Sequence, residues 1–550
     1  MRGVREKGSE MMEREQRFYF SKKMKIILFS LLIGLNIILR IPFYPHESGA
    51  DTFVMHILAN SVSQFGHARW WINPLSAVGL YPYSECSAVP FIISSISQST
   101  GIDTERTIFL FCMIIGLLCV FSAYIMAGMI FNDDLFKFSV AFSLSISPAV
   151  LNYMVWSITA RTPFIALLPL FVYSLLKCRT YKRRFSLLTF ILFALLFATH
   201  HLAYFLIPIS ISYFIVVISY GLKNSINVKS EGFRIPKYIP SVLIAVGFFI
   251  MFAIPFQTGR LIIEFGSRYE AVNMLFFNNL PRYVGILCIF AVGGLVYLLF
   301  KSDKGFEEWT LLLILMFLTP FLYVQTYMKW FIPCFISLLI GVGIINIARA
   351  GKRGMKYALI ILVIFLLLAV SFSAFYQHWR TKGGGIYLFN NYMKETTYTS
   401  SLWIKENIND GSLICNVLST GFKIFSISDV PLMNGFHESI DLAYGFFNIS
   451  ELKLVKKSFT EEAFWLSSPY TVIDGYSSRY TWADIIGHDY KYYEYKYRSK
   501  FNFTHVIEDK RIPRGYFSPL SGIYRSEFLG FVYDSDNCIY DNGDICVWDL

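Results

Sequence analysis

The chain has 550 residues, of which 55% are hydrophobic and 16% charged, with a mean hydropathy of +0.48. Soluble domains carry about 25% charge, so this balance excludes an ordinary soluble protein and points to an integral membrane protein. The formal charge of +11 does not argue for nucleic acid, because the basic residues sit in short loops between apolar runs, where they read as membrane orientation. Nine scattered cysteines with no C-x-x-C pair argue against a zinc or thiol-redox centre.

The basic segment 1–25 is not followed by a small-residue cleavage site, so 25–44 reads as a retained first span. Ten more apolar runs follow at 107–131, 135–152, 162–177, 185–199, 201–220, 238–256, 282–300, 309–326, 330–348 and 356–376. The stretch 185–220 is too long for one crossing, and His200-His201 marks its expected turn. Asn132-Asp133-Asp134 reads as a tight turn between spans. With the N-terminus in the cytoplasm, the inside loops hold Lys177, Arg179, Lys182, Arg183, Arg184, Lys223, Lys229, Arg234, Lys237, Arg349, Lys352 and Arg353. The long first outer loop holds Arg69 and Arg106 alone, so the basic bias supports that orientation and a multi-pass plasma-membrane protein. Eleven spans put the segment after 376 outside.

The first outer loop, 45–106, is the most informative stretch. Pro45-His46-Glu47-Ser48-Gly49-Ala50-Asp51-Thr52 places two acids just beyond the first span. Residues 52–65 carry Phe53, Val54, Ile57, Leu58, Val62 and Phe65 on one side and His56, Asn60, Ser63 and Gln64 on the other. That pattern predicts an amphipathic helix lying along the interface, with Gly66 as its C-terminal cap. Trp70-Trp71, Tyr81-Pro82 and a second non-spanning apolar piece at 88–97 follow, so the loop reads as a floor or lid on the membrane surface.

From about 377 onward, strand-like and helix-like pieces alternate, which predicts a soluble α/β domain. Residues 401–407 read as helix, 412–418 as a buried strand, and 539–545 as a hairpin turning at Asn542-Gly543. Cys538 and Cys546 flank that turn and face each other when its loop has an odd number of residues, which opens the way to a disulfide outside the cell. Asn448 and Asn502 stand in N-x-S/T sequons.

These residues resemble the GT-C class of membrane glycosyltransferases, and within it the catalytic subunits of oligosaccharyltransferases and their prokaryotic relatives. The stretch that carries the resemblance is Gly49-Ala50-Asp51-Thr52-Phe53, Gln64-Phe65-Gly66, Trp70-Trp71 and Tyr81-Pro82. Leu402-Trp403-Ile404-Lys405-Glu406-Asn407 and 532–545 also look like parts of the outward domain of that class. The resemblance implies a helical multispanning GT-C-like domain over 1–376 and an extracytoplasmic α/β domain over 377–550. It also implies a sugar donor carried on polyprenyl or dolichyl phosphate, and a glycan, lipid or protein acceptor. Oligosaccharyltransferases carry an Asp-x-Asp where this chain has Gly49-Ala50-Asp51, and their Trp-Trp-Asp-Tyr-Gly motif is missing from the tail. Both departures favour transfer of one sugar over en-bloc transfer to a protein sequon.

Such a reaction needs a base, a cationic site for the leaving phosphate and a groove for the lipid. Asp51 is the candidate base, since a carboxylate at the interface can take the acceptor proton; the plainer alternative is that it caps the helix starting at Thr52. Glu47 is a second catalytic candidate. Asp51, Glu47 and His46 are also candidate ligands of Mg²⁺ or Mn²⁺, which prefer hard oxygen donors. For the phosphate the candidates are Arg161, Arg260, Arg268 and Lys329, each of which could instead anchor to lipid headgroups. A transporter or flippase of lipid-linked sugars is the competing expectation. It should show charges or Gly/Pro breaks within its spans, whereas here the acids cluster at one face.

Overall fold

The computed structural model describes residues 17–81, 84–227, 239–257, 279–301, 303–324, 328–352, 356–381, 392–432, 438–445, 453–458, 470–474, 504–512 and 535–550. The sequons at Asn448 and Asn502 and the candidates Arg260 and Arg268 lie outside the described residues.

The helices run in chain order as α1 (Lys22–Arg40), α2 (Ala50–Phe65), α3 (Ala88–Thr100), α4 (Thr104–Ile130), α5 (Asp134–Ser145), α6 (Arg161–Lys177), α7 (Lys182–Thr199), α8 (Leu206–Asn227) and α9 (Ile239–Gln257). They continue as α10 (Cys288–Phe300), α11 (Phe306–Leu318), α12 (Pro333–Lys352), α13 (Lys356–Thr381), α14 (Glu395–Asn407), α15 (Leu418–Ser428) and α16 (Glu438–Ala443). Four described helices are long and apolar enough to cross a membrane: Thr104–Ile130, His201–Leu222, Pro333–Gly351 and Tyr357–Trp379. The apolar helices Ile239–Met251 and Cys288–Phe300 are shorter. Several expected spans are interrupted, among them 282–300, which breaks at Gly285 before the helix resumes at Cys288, and 330–348, which breaks at Ile332. The run at 135–152 ends as a helix at Ser145 and resumes in the four-residue turn Pro148–Leu151, because proline at the first helical position cannot donate back to the preceding turn. The run at 309–326 ends at Leu318, before Thr319-Pro320.

α10 and α12 pack backbone to backbone. A Cβ on Gly294 would lie 2.0 Å from the Leu339 carbonyl oxygen, and one on Gly343 would lie 2.2 Å from that of Phe290. Small residues admit this approach where lipid gives helices little hydrophobic reason to associate. The expected turns are present. Asp133 caps α5 by accepting from Phe136 N–H and also from Phe18 N–H at 3.0 Å, and His200 caps the turn His201–Phe205 by accepting from Leu202 N–H.

After α13 the chain builds a mixed sheet from β1 (Leu413–Cys415), β4 (His505–Asp509), β5 (Cys538–Asp541) and β6 (Ile545–Asp549), in the order β1-β4-β6-β5, while β2 (Lys453–Lys456) pairs antiparallel with β3 (Tyr470–Asp474). β1 is shorter than the strand expected over 412–418, because the chain turns into α15 at Leu418. The hairpin β5–β6 turns at Asn542-Gly543-Asp544, as its Asn-Gly pair predicts.

α2 is where the two halves meet. Its apolar side packs on α3, as the periodicity predicts, but of its polar side only Ser63 and Gln64 face water, while His56 and Asn60 are covered. Asn60 donates to Ser426 O at 3.0 Å and to Asp429 Oδ1 at 2.6 Å. Tyr444 Oη donates to Ile57 O, and Met393 N–H donates to Glu47 O at 3.1 Å. A helix expected to float on an interface is a buried strut between the first outer loop and the C-terminal segment.

Candidate active site

Two loops cross at the head of α2. Gly49 sits at φ +93°, and a Cβ there would come within 2.9 Å of Ser157 Oγ, so glycine is what lets the loops touch. Ser48 N–H donates to Trp156 O at 3.0 Å, and Ile158 N–H donates to Thr52 Oγ1 at 3.0 Å. Trp156 itself is held at φ +47°, a strained backbone for a bulky residue, and its indole N–H donates to Glu105 O at 3.2 Å. The crossing fixes where the next residues on each strand emerge: Asp51 in the first turn of α2 and Arg161 as the first residue of α6.

Asp51 and Arg161 therefore meet. Arg161 Nη1 lies 3.2 Å from Asp51 Oδ2 and 2.9 Å from Tyr153 Oη, and the guanidinium carbon stands 5.2 Å above the Tyr153 ring. The Asp51 side chain is 50% exposed and that of Arg161 15%, so the pair opens outward from a buried root. Asp51 does not cap α2: the N-cap is Gly49, which has no side chain to do so.

Glu85, which the sequence reading passed over, joins this pair. It is partly buried, and burial together with the negative charge of Asp51 pushes its carboxyl up to about 7, against the opposing pull of Arg161. Its position just before α3 was the available signal, an acid at the edge of a non-spanning apolar helix. A wall of rings runs on from Tyr153. Trp330 lies 4.8 Å from Tyr153 and 4.8 Å from Tyr283. Lys329 Nζ stands 5.2 Å from the Tyr283 ring, and Arg282 reaches Tyr376 Oη through Nε at 2.7 Å with its guanidinium 5.9 Å from Tyr283. Arg282 is a second residue that sequence reasoning missed, because it stood at the edge of an apolar run and read as the start of a span.

Glu47 and His46 face elsewhere. Glu47 is fully buried, with Oε1 2.8 Å from His56 Nδ1 and accepting from Ser426 Oγ at 3.2 Å. His46 is held between Glu105, 3.1 Å from Nδ1, and Glu395, 3.0 Å from Nε2, and stacks on Tyr398 at 3.8 Å. Burial opposes the charged form of both imidazoles, but the adjacent carboxylates outweigh it and hold both above the ordinary histidine range. The expected metal set of Asp51, Glu47 and His46 is thus not brought to one point. The carboxylates beside Arg161 are Asp51 and Glu85. Among the described residues the side chains whose ligand atoms do converge, within 4.8 Å, are Cys538, Asp541 and Cys546.

No protein-family model matches the sequence, and no curated protein sequence does either. Solved structures do. The oligosaccharyltransferase of Archaeoglobus fulgidus, tethered to an acceptor peptide containing the NVT sequon, superposes with a TM-score of 0.56 at 13% identity over 89% of this chain and 69% of its own. ArnT from Cupriavidus metallidurans, bound to undecaprenyl phosphate, superposes with a TM-score of 0.54 at 10% identity over 96% of this chain and 98% of its own. The chain has a GT-C fold. At these identities the likeness concerns architecture alone.

Proposed function

We propose that the protein is a GT-C glycosyltransferase that moves a sugar from a polyprenyl- or dolichyl-phosphate donor to an acceptor hydroxyl at the outer membrane face. The observation that carries this reading is the Asp51–Arg161 pair, a carboxylate and a phosphate-binding fork delivered to one spot by the crossing at Gly49. A donor phosphate would compete with Asp51 for Arg161, while Lys329 and Arg282 offer further positive charge along the ring wall. Once its partner turns to the phosphate, the Asp51 carboxylate is released to accept a proton at the moment a base is needed. Asp51 takes the acceptor proton, the acceptor oxygen bonds to the anomeric carbon from the opposite face, and the lipid phosphate leaves with the electron pair. Anomeric configuration inverts. Glu85, protonated for part of the time near neutral pH, can donate a hydrogen bond to the acceptor or the sugar. A Mg²⁺ or Mn²⁺ ion would find its donors in Asp51 and Glu85 and would supply further charge neutralisation.

The structures that share the fold support this reading: one holds an acceptor peptide and the other undecaprenyl phosphate. The test is to place purified protein in liposomes with a panel of labelled polyprenyl-phosphate sugars, then measure released polyprenyl phosphate and the anomeric configuration of any product. Donor consumption with inversion supports the proposal. Movement of intact labelled lipid across the bilayer without consumption would make the protein a transporter.

A further inference from the structure

The hairpin β5–β6 brings two cysteines together without need of backbone movement. Cys538 stands opposite Trp548 and Cys546 opposite Asp541, with a bulge at Ile539 between the paired positions. Residues 546 and 548 share one face of β6, so the two cysteines are diagonal neighbours on that face. Their Sγ atoms lie 2.8 Å apart, inside the approach distance of sulfurs that are not bonded. Asp541, the third member of this cluster, is engaged by Lys510 Nζ at 2.5 Å and by Gly543 N–H at 2.8 Å. That leaves the sulfurs facing each other rather than a shared cation.

We infer that Cys538 and Cys546 form an intramolecular disulfide that staples this hairpin. The inference rests on the outward placement of the C-terminal segment in the proposed function, since disulfides persist on the oxidising side of a membrane. Cys538 is partly exposed and Cys546 buried, so Cys538 meets the oxidant. Its thiolate attacks the disulfide of a dithiol–disulfide exchange protein, giving a mixed disulfide and one free thiol on that protein. The Cys546 thiolate then attacks Cys538 Sγ, and the exchange protein leaves as a dithiol. Two protein thiols become one disulfide, and the oxidant's disulfide becomes two thiols.

The staple stands where the hairpin grips α14. Asn542 Nδ2 donates to Thr396 O at 2.7 Å and Ser400 Oγ at 2.9 Å, Thr396 Oγ1 donates to Asp544 at 2.8 Å, and Tyr540 stacks on Trp403 at 4.7 Å. α14 begins with Glu395, the residue that holds His46 of the first outer loop. Fixing the hairpin therefore fixes one support of the loop that carries Asp51.

The test uses full-length protein extracted from membranes, unfolded in the presence of N-ethylmaleimide without reductant and digested with trypsin. Both cysteines fall in the C-terminal peptide 526–550, which contains no lysine or arginine. The expected peptide carries no adduct, is lighter than the dithiol by two hydrogen masses, and gains two adducts when reductant precedes the maleimide. A peptide with two adducts in extracted protein, but none after treatment of the folded protein with oxidised glutathione, supports the pairing and overturns the outward placement. Two adducts in both samples overturn the disulfide, and loss of a bound metal into a chelator in that case would assign the cluster to a cation.

Discussion

Asp51 and Arg161 are 110 positions apart, and they meet because Gly49 lets one loop pass over another. Gly49→Ala is expected to destabilise the protein by about 1–3 kcal/mol, since it forces a side chain into a glycine-only backbone region and against Ser157; a thermal melt beside wild type checks it. If Glu85 contributes as a hydrogen-bond donor, transfer declines as pH rises through about 7, where its raised carboxyl ionises. Glu85→Gln, which stays neutral, should remove that alkaline limb from the pH–rate profile, and an unchanged limb would take Glu85 out of the chemistry. The sequence made Asp51 legible because an acid just past a first span has no packing reason to be there. Arg161 was legible as one of four cations, but what singles it out is the crossing between residues 48–52 and 156–158, which no local pattern encodes. Glu85 and Arg282 were hidden for the same reason: each looks like an ordinary loop or helix-end residue until rings and charges from distant segments are placed around it.

At the scale of elements, α2 is the piece whose pattern was read well and whose surroundings were not. The periodicity gave a helix with one apolar side, and it is there, but hydrophobic pattern cannot tell a polar face that meets water from one that meets Asp429, Ser426 and Tyr444. Three acid–histidine contacts, from His56 on this strut and from His46 just before it, make its docking sensitive to pH. Both imidazoles are held above their ordinary value of about 6.5, so their contribution is complete below that pH and is lost as pH rises through the folded-state values. Protection factors in α2 and α15, which correct the exchange rate for its intrinsic rise with hydroxide, should therefore fall as pH rises above about 6.5, and constant protection factors would contradict the assignment. The Glu395 and Glu47 contacts should differ in weight. Glu395 is largely exposed, so Glu395→Gln is expected to cost under about 1 kcal/mol. Glu47 and His56 are buried together, so Glu47→Gln, which leaves the imidazolium without its carboxylate, is expected to cost about 3–5 kcal/mol in a denaturation experiment.

At the scale of the whole molecule, apolar runs were enough to anticipate a mostly helical membrane protein, the motif resemblance beginning at Gly49 anticipated the GT-C fold, and the change of composition after 376 anticipated strands alternating with helices there. Run length overstated helix continuity where proline intervenes: Pro148 and the Thr319-Pro320 step break runs that hydropathy alone joins. The break at Pro148 shapes the candidate site, because the segment between α5 and α6 is the irregular stretch that crosses the Gly49 loop and leads into Arg161. If the paired Asp51 and Arg161 form the reaction centre of a lipid-phosphate-dependent sugar transfer, replacing either must impair it. The most direct test compares wild type, Asp51→Asn and Arg161→Ala for single-turnover transfer from the active labelled donor, with melting temperature as a control for folding. Both variants are expected to fold, Asp51→Asn to lose about 10²-fold or more in the transfer step with donor binding retained, and Arg161→Ala to weaken donor binding as well. Transfer at wild-type rate by folded Asp51→Asn would contradict that assignment of the reaction centre.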